Sequence, residues 1–338
     1  MDNYNHEIID QVLQKSQLFE IMFKDNISEI CINKPHEIYF LNESHQWIKV
    51  VDNELTYEYL YDVAVLLTNY HDSQYPISFT NPQCSITTHN NYRCQIIVPP
   101  ISKSGMISFT FRKPSESRFS IDDYQKSGRF ENAKVVEIEY KSDFSETLSE
   151  EDQILNELLN TRQFDLFFKK CIEFDKNIVT SGKTGSGKTT FMKALIDDYD
   201  PSLRLVVIQD VHELEILKQP NHTYQFFSKE RSAVQCLENS LRMRPDKIIL
   251  SEIRGDESWS YLSALNVGHP GSITSIHANN SMSVINRLCS LTKQSPVGLG
   301  LDYSMIKDTV FNLVDVVVHL DKTYIKEIYF KNRSASNE

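Results

Sequence analysis

Residues 182–189 read GKTGSGKT. The spacing is G-x-x-x-x-G-K-[ST], a glycine-rich loop that wraps phosphate groups. Gly182, Gly185 and Gly187 can adopt backbone angles closed to other residues, so neighbouring N–H groups can turn inward around one phosphate. A helix starting at Lys188 adds the positive end of its dipole. The Lys188 ammonium would reach the β- and γ-phosphates, and the Thr189 hydroxyl would bind Mg²⁺. The candidate nucleotide-binding residues are therefore Gly182, Lys183, Thr184, Gly185, Ser186, Gly187, Lys188, Thr189 and Thr190. The flanks agree: NIVTS (177–181) reads as a strand and TTFMKALI (189–196) as a helix. ATP with Mg²⁺ is the expected ligand.

Outward from this loop the chain alternates strand and helix. RLVVIQD (204–210), DKIILSE (246–252) and GSITSIHA (271–278) are short apolar strands. KTTFMKALID (188–197), SAVQCLENSLRMR (232–244) and ESWSYLSALNV (257–267) are helical spacers between them. That alternation predicts a doubly wound, mostly parallel sheet. LVDVVVHLDKTYIKEIYFK (313–331) predicts a closing hairpin. Ligands in such sheets sit beyond the carboxyl ends of the strands. Two strands end there in acid, at Asp210 and Glu252, both candidates to hold Mg²⁺ through water. Glu252 is also the candidate general base. A third strand leads into His277. A histidine alone is more often structural, but on this edge it can meet a γ-phosphate. His269, before Pro270 and Gly271, is expected to shape the turn into that strand.

The first third has a different pattern. ISEICIN (27–33), HEIYFLN (36–42), QWIKVV (46–51), RCQIIVPP (93–100) and MISFTFRKP (106–114) read as short strands, with a helix over 55–70. The expected organisation is an α+β domain with an antiparallel sheet over 1–115, a polar linker with local helix over 116–150, and a phosphate-loop α/β domain over 151–338. Within the linker and beyond, Ser149 before three acids marks a helix start, and 154–172 reads as one amphipathic helix.

Composition narrows the function. The chain has 338 residues, with 35 basic against 46 acidic side chains and a formal charge of −11. Sequence-independent nucleic-acid binding needs a basic footprint, so no direct sequence-specific nucleic-acid contact is expected. Six scattered cysteines form no CxxC pair and no zinc spacing. With no signal-peptide core and no apolar run of membrane length, a cytoplasmic protein is expected.

Four boxes in order carry a resemblance: GKTGSGKTT (182–190), VVIQDVHELE (206–215), LRMRPDKIILSEIRGDE (241–257) and NVGHPGSITSIHANN (266–280). Together they resemble the Walker A, Asp, Walker B and His boxes of the secretion-superfamily ATPases. ISEICINKPHEIYF (27–40), YRCQIIVPP (92–100) and ISFTFRKPS (107–115) resemble the amino-terminal strands of the VirB-eleven type, the traffic ATPases of type IV secretion systems. The resemblance implies a RecA-like carboxyl-terminal domain and ATP bound between the two domains. It implies a homo-oligomeric ring, six subunits, working with inner-membrane secretion components as a peripheral protein of the cytoplasmic face. It also implies that two amino-terminal arginines, matching Arg93 and Arg112, touch the phosphates. Arg242, Arg244 and Arg254 are further candidates for phosphate or inter-subunit contacts. The Asp box departs from the family at Gln209, where glutamate is usual; glutamine orients water but takes no proton, which leaves Glu252 as the base. Lys183 and Ser251 are smaller departures. The alternatives are a pilus-retraction motor, a nucleic-acid motor, and an assembly module that binds ATP without hydrolysing it.

Overall fold

The computed structural model describes residues 2–24, 27–42, 46–70, 76–113, 118–138, 148–228 and 231–331. Two compact units divide the chain, Met1–Glu116 and Ser117–Glu338.

Among the described residues, the first unit holds strands β1 (Glu29–Ile32), β2 (Glu37–Leu41), β3 (Trp47–Val51), β4 (Gln83–Thr87), β5 (Arg93–Ile97) and β6 (Ser108–Arg112). They form one antiparallel sheet in the order β3-β2-β1-β6-β5-β4. Strict alternation in β5 and β6 buries Cys94, Ile96, Phe109 and Phe111 on one face. Their core also takes Leu60, Val63 and Leu67 of helix Tyr57–Tyr70, and Ile9 and Leu13 of helix Asp2–Leu13. The opposite side of the alternation carries Arg93 and Arg112. Helices Asp2–Leu13 and Gln17–Met22 and strand β4 are additions to the sequence reading.

The second unit is built on β7 (Lys134–Val136), β8 (Ile178–Ser181), β9 (Leu205–Gln209), β10 (His222–Phe226), β11 (Lys247–Ile253), β12 (Ile273–Ile276), β13 (Val316–Asp321) and β14 (Tyr324–Phe330). Their order is β10-β9-β11-β12-β8-β13-β14-β7. The pairs from β10 through to β13 are parallel; β13 and β14 form the antiparallel hairpin, and β7 lies parallel to β14. Strands β8, β9 and β12 are buried at every residue, so they show no alternation, and Thr180, Ser181, Gln209, Thr274 and Ser275 are buried along with the apolar residues. On one face Phe191, Met192 and Leu195 pack with Phe164, Phe167 and Phe168 over Ile178, Val207, Ile249 and Ile273. On the other, Leu237, Leu262, Leu265, Ile285 and Leu288 cover Val179, Val206, Ile248 and Leu250. Each fully buried side chain of this size contributes about 1.5–3 kcal/mol.

The expected linker needs correction. Residues 118–138 belong to the second unit: helix Ile121–Lys126 and β7 lie there, and Tyr124 and Phe130 are in its core against Phe191. The polar residues around these few apolar ones hid them from a periodicity reading. Of the rest of the expected linker, residues 116–117 and 139–147 lie outside the described residues, and 148–150 lead into helix Glu150–Asn160. The single helix expected over 154–172 is two, Glu150–Asn160 and Phe164–Glu173, broken at Arg162, whose φ is 57°.

Candidate nucleotide site

Parallel strands deliver their last residues to one edge of the second sheet. There β8 runs into the loop 182–187, β9 into Asp210, β12 into His277, and β11 carries Glu252 next to its end. The loop is shaped by its glycines. Gly182, Gly185 and Gly187 have φ of 147°, 75° and 91°, and Gly187 caps the helix Lys188–Ile196. A Cβ on Gly182 would stand 2.4 Å from the Leu320 carbonyl oxygen and 2.4 Å from Ser186 Oγ. The hairpin tip beside β13 closes on the same loop, the Thr323 N–H donating to the Ser186 carbonyl at 3.1 Å. Lys183, Thr184 and Gly185 face outward, while Ser186 and Lys188 are buried.

A chain of polar groups crosses this edge. Lys188 Nζ donates to the Gly182 carbonyl at 2.9 Å and lies 3.2 Å from His277 Nδ1. His277 Nδ1 is also 3.0 Å from the Gly182 carbonyl, and Nε2 is 2.7 Å from Glu252 Oε1. Apart from that ionic contact, Glu252 Oε1 is buried with no hydrogen-bond partner. The other carboxylate oxygen, Oε2, accepts from Arg254 Nε at 2.6 Å, and Arg254 also donates to Asp210 Oδ2 at 2.8 Å. Burial works against the Arg254 charge, but Asp210 and Glu252 outweigh it and raise the guanidinium pKa above its ordinary value.

The edge is rich in hard oxygen donors, the chemistry Mg²⁺ prefers. Thr189, Asp210 and Glu252, the residues expected to hold it, lie on this edge; no three acidic, histidine or cysteine side chains among the described residues are grouped to hold a metal by themselves, and the buried Glu252 Oε1 is the kind of atom a metal-bound water would complete. Glu213 joins them: the Thr189 hydroxyl donates to its Oε2 at 3.4 Å. Sequence reasoning missed Glu213, although it lies in the quoted Asp box three residues after Asp210.

Gln209 is not among the reacting groups. It is fully buried, and its Oε1 accepts from Glu213 N at 3.0 Å and Leu214 N at 2.8 Å. The side chain therefore folds the loop that carries Asp210 and Glu213. An amide accepts both N–H groups without bringing a buried charge, which glutamate would. His269 does shape a turn: its Nδ1 is 2.9 Å from the Pro245 carbonyl, and its own carbonyl accepts from Ser272 Oγ. His319, also missed, sits beneath the loop, with Nδ1 3.0 Å from Ser181 Oγ.

The family described as "Type II/IV secretion system protein" matches residues 152–325. A type IV secretion system protein VirB11 of Bartonella henselae is 33% identical over 96% of this chain and 94% of that protein. One from Brucella suis is 33% identical over 87% of this chain and 81% of that protein. The chain belongs to this secretion family. Within it the resemblance is to the VirB11 type, as the sequence boxes indicate. The solved VirB11 ATPase of the Brucella suis type IV secretion system, in complex with sulphate, superposes with a TM-score of 0.53. It is 32% identical, covering 95% of this chain and 97% of that one. The pilus retraction motor PilT with bound ADP shares the fold at a TM-score of 0.58, with 14% identity over 90% of this chain and 76% of that one. The RecA-like second unit and antiparallel first unit are those of the family.

The two arginines that the resemblance assigns to phosphate lie on neighbouring strands of the first unit. Arg93 on β5 and Arg112 on β6 are direct cross-strand partners, and Glu29 on β1 is the next residue in that row. Arg112 thus stands between Arg93 and Glu29, and the row carries charges of both signs. Arg242 and Arg244 take part in none of the contacts described at the edge; Arg254 is at its centre.

Proposed function

We propose that this protein hydrolyses ATP at the carboxyl edge of its second sheet and uses the cycle to power type IV secretion, in translocation, assembly or both. The observation that carries this reading is the convergence of Lys188 and Thr189 of one helix, Glu252 of β11 and His277 after β12 onto one loop of phosphate-binding geometry. The VirB11 relatives, at over 30% identity across nearly the whole chain, favour secretion over the pilus-retraction alternative, whose example shares 14%.

In this reading the loop N–H groups and the Lys188 ammonium neutralise the β- and γ-phosphate oxygens as charge shifts to them. Thr189, Asp210 and Glu252 would hold Mg²⁺, the last two through water, with Glu213 beside them. When bound, Mg²⁺ offsets charge on the phosphate oxygens. Glu252 Oε1 orients the attacking water and takes its proton. His277, within reach of both Lys188 and Glu252, links the γ-phosphate position to the base. Arg93 and Arg112 are assigned to the phosphates as well, on the resemblance to the family, through charge-assisted hydrogen bonds. Coupled motion requires contacts that differ between nucleotide states, and the γ-phosphate supplies that difference. The protein acts as a homo-oligomer, a hexamer in this reading, at the cytoplasmic face of the inner membrane beside membrane components of the system. No helix among the described residues is long and apolar enough to cross a membrane.

The test is turnover on purified protein. Lys188→Ala abolishes hydrolysis, and Glu252→Gln binds nucleotide with parental affinity but does not hydrolyse it. Parental turnover by Glu252→Gln removes Glu252 as the base. Strong stimulation by single-stranded DNA favours a nucleic-acid motor instead.

A further inference from the structure

We propose that Arg254 is the positioning residue of Glu252, fixing which carboxylate oxygen receives the proton of the attacking water. The inference rests on the assignment of Glu252 as the base.

Arg254 is held at both ends. Its backbone N–H donates to Glu257 Oε1, which also accepts from Gly255 N at 2.9 Å. Glu257 is itself buried at the first turn of helix Glu257–Asn266, so the anchor is set in the packed body of the unit. At the other end the guanidinium is pinned by Asp210 at the terminus of the neighbouring strand β9. A planar guanidinium with two donors engaged has little freedom left.

Between these anchors Arg254 Nε takes Glu252 Oε2 at 2.6 Å. A carboxylate with one oxygen committed can present only the other. Oε1 is that atom: buried, without a hydrogen-bond partner, and 2.7 Å from the His277 ring that also reaches Lys188. A charge-assisted bond at Oε2 draws electron density from the carboxylate but leaves Oε1 aimed at the loop. A carboxylate released from Arg254 would turn about its terminal torsion, which is broad and roughly two-fold, and spend much of its time with neither oxygen on the water. Orientation errors of this size cost about 10²-fold in rate. Lysine cannot replace the arrangement, because a single ammonium point cannot span Asp210 and Glu252 in a fixed plane.

Arg254 is 47% exposed at the side chain, whereas Glu252 is only 11% exposed. Solvent therefore reaches the guanidinium position, and a small guanidinium ion can enter after the side chain is removed. The experiment uses the full-length protein with Arg254→Ala and Arg254→Lys. Turnover is measured over a range of ATP concentrations, and affinity for a fluorescent ADP analogue is measured in parallel. The expected result for Arg254→Ala is a kcat lower by about 10²-fold with KM and analogue affinity within about twofold of the parent. Methylguanidinium at millimolar concentration restores several-fold of the lost kcat, and methylammonium at the same ionic strength does not. Arg254→Lys keeps the charge and yet shows most of the loss. Parental kcat in either variant overturns the proposal, as does a loss that methylguanidinium leaves untouched while analogue affinity is normal. If Arg254→Ala does not fold, Arg254→Lys decides by the same split between kcat and KM. Active Arg254 variants beside an inactive Glu252→Gln refute this inference alone; an active Glu252→Gln refutes the assignment of the base beneath it.

Discussion

Gly182→Ala tests whether the phosphate loop is built against the hairpin rather than merely beside it. Gly182 has φ of 147°, a region that side chains rarely adopt, and a Cβ there would lie 2.4 Å from the Leu320 carbonyl oxygen. Ser186 Oγ, also at 2.4 Å, can rotate away. The carbonyl is backbone and has less freedom, because Leu320 is paired with Ile325 of β14 and directly follows the His319–Ser181 pair that ends the ladder with β8. The backbone conformation costs an alanine about 1–3 kcal/mol. The forced contact adds about 1–3 kcal/mol, as inserted methyl groups do in packed sites. Together they reach about 4 kcal/mol, a large part of the ~5–15 kcal/mol that holds a typical domain folded. Gly185→Ala is the control: φ is 75°, the residue is exposed, and nothing lies within 4 Å of the added atom. It bears only the left-handed backbone cost, about 1–2 kcal/mol. Urea unfolding followed by circular dichroism compares the two, and the Gly182 variant is expected to be less stable by about 2 kcal/mol or more. Equal midpoints refute the reasoning, since they mean the strand yields and the loop is not seated on it. The Gly182 carbonyl accepts from Lys188, so the variant also weakens binding of a fluorescent ADP analogue more than the control does.

Two further outcomes follow from buried polar groups at the same edge. Gln209→Leu strips the acceptor from Glu213 N and Leu214 N and costs about 2–3 kcal/mol; amide exchange at those two residues accelerates, and unchanged protection shows that another group holds the loop. For His319, burial pushes the imidazole pKa down, Glu327 and Asp321 oppose the shift, and Lys188 adds to it. The folded protein therefore binds fewer protons here than the unfolded chain. Its stability falls as pH drops through about 6.5, the unfolded value. His319→Gln flattens that fall between about pH 7 and 5, read as urea midpoint against pH. Burial lowers the His89 pKa in the first unit too, so the difference between variant and parent is the quantity to compare, and identical slopes remove His319 from the account.

Much of the second unit could be read from the chain because parallel strands buried on both faces leave short β-branched and apolar stretches without alternation, as in Ile178–Ser181 and Leu205–Gln209. The strands that escaped are shorter or half exposed. β10 carries His222, Thr223 and Gln225 on an edge, and β7 has three residues, so neither leaves a long periodic pattern. Phe130 was hidden for a related reason: one aromatic in a polar stretch carries no period, although it packs on Phe164, Phe168 and Phe191.

The glycine spacing of 182–189 by itself determined that a phosphate cradle would stand between a strand and a helix, because few other residues reach those backbone angles. The acids and the histidine could be named from strand ends, since a parallel sheet brings all its carboxyl termini to one edge. What only the tertiary structure decided was partnership. That Arg254 reaches Asp210 and that Glu213 meets Thr189 depend on separations of a few ångströms between segments distant in the chain, and that Arg254 takes Oε2 of Glu252 and Gln209 serves its own loop depend on how each side chain turns. A linear pattern records which side chains arrive at an edge; the twist and packing of the sheet set which of them touch.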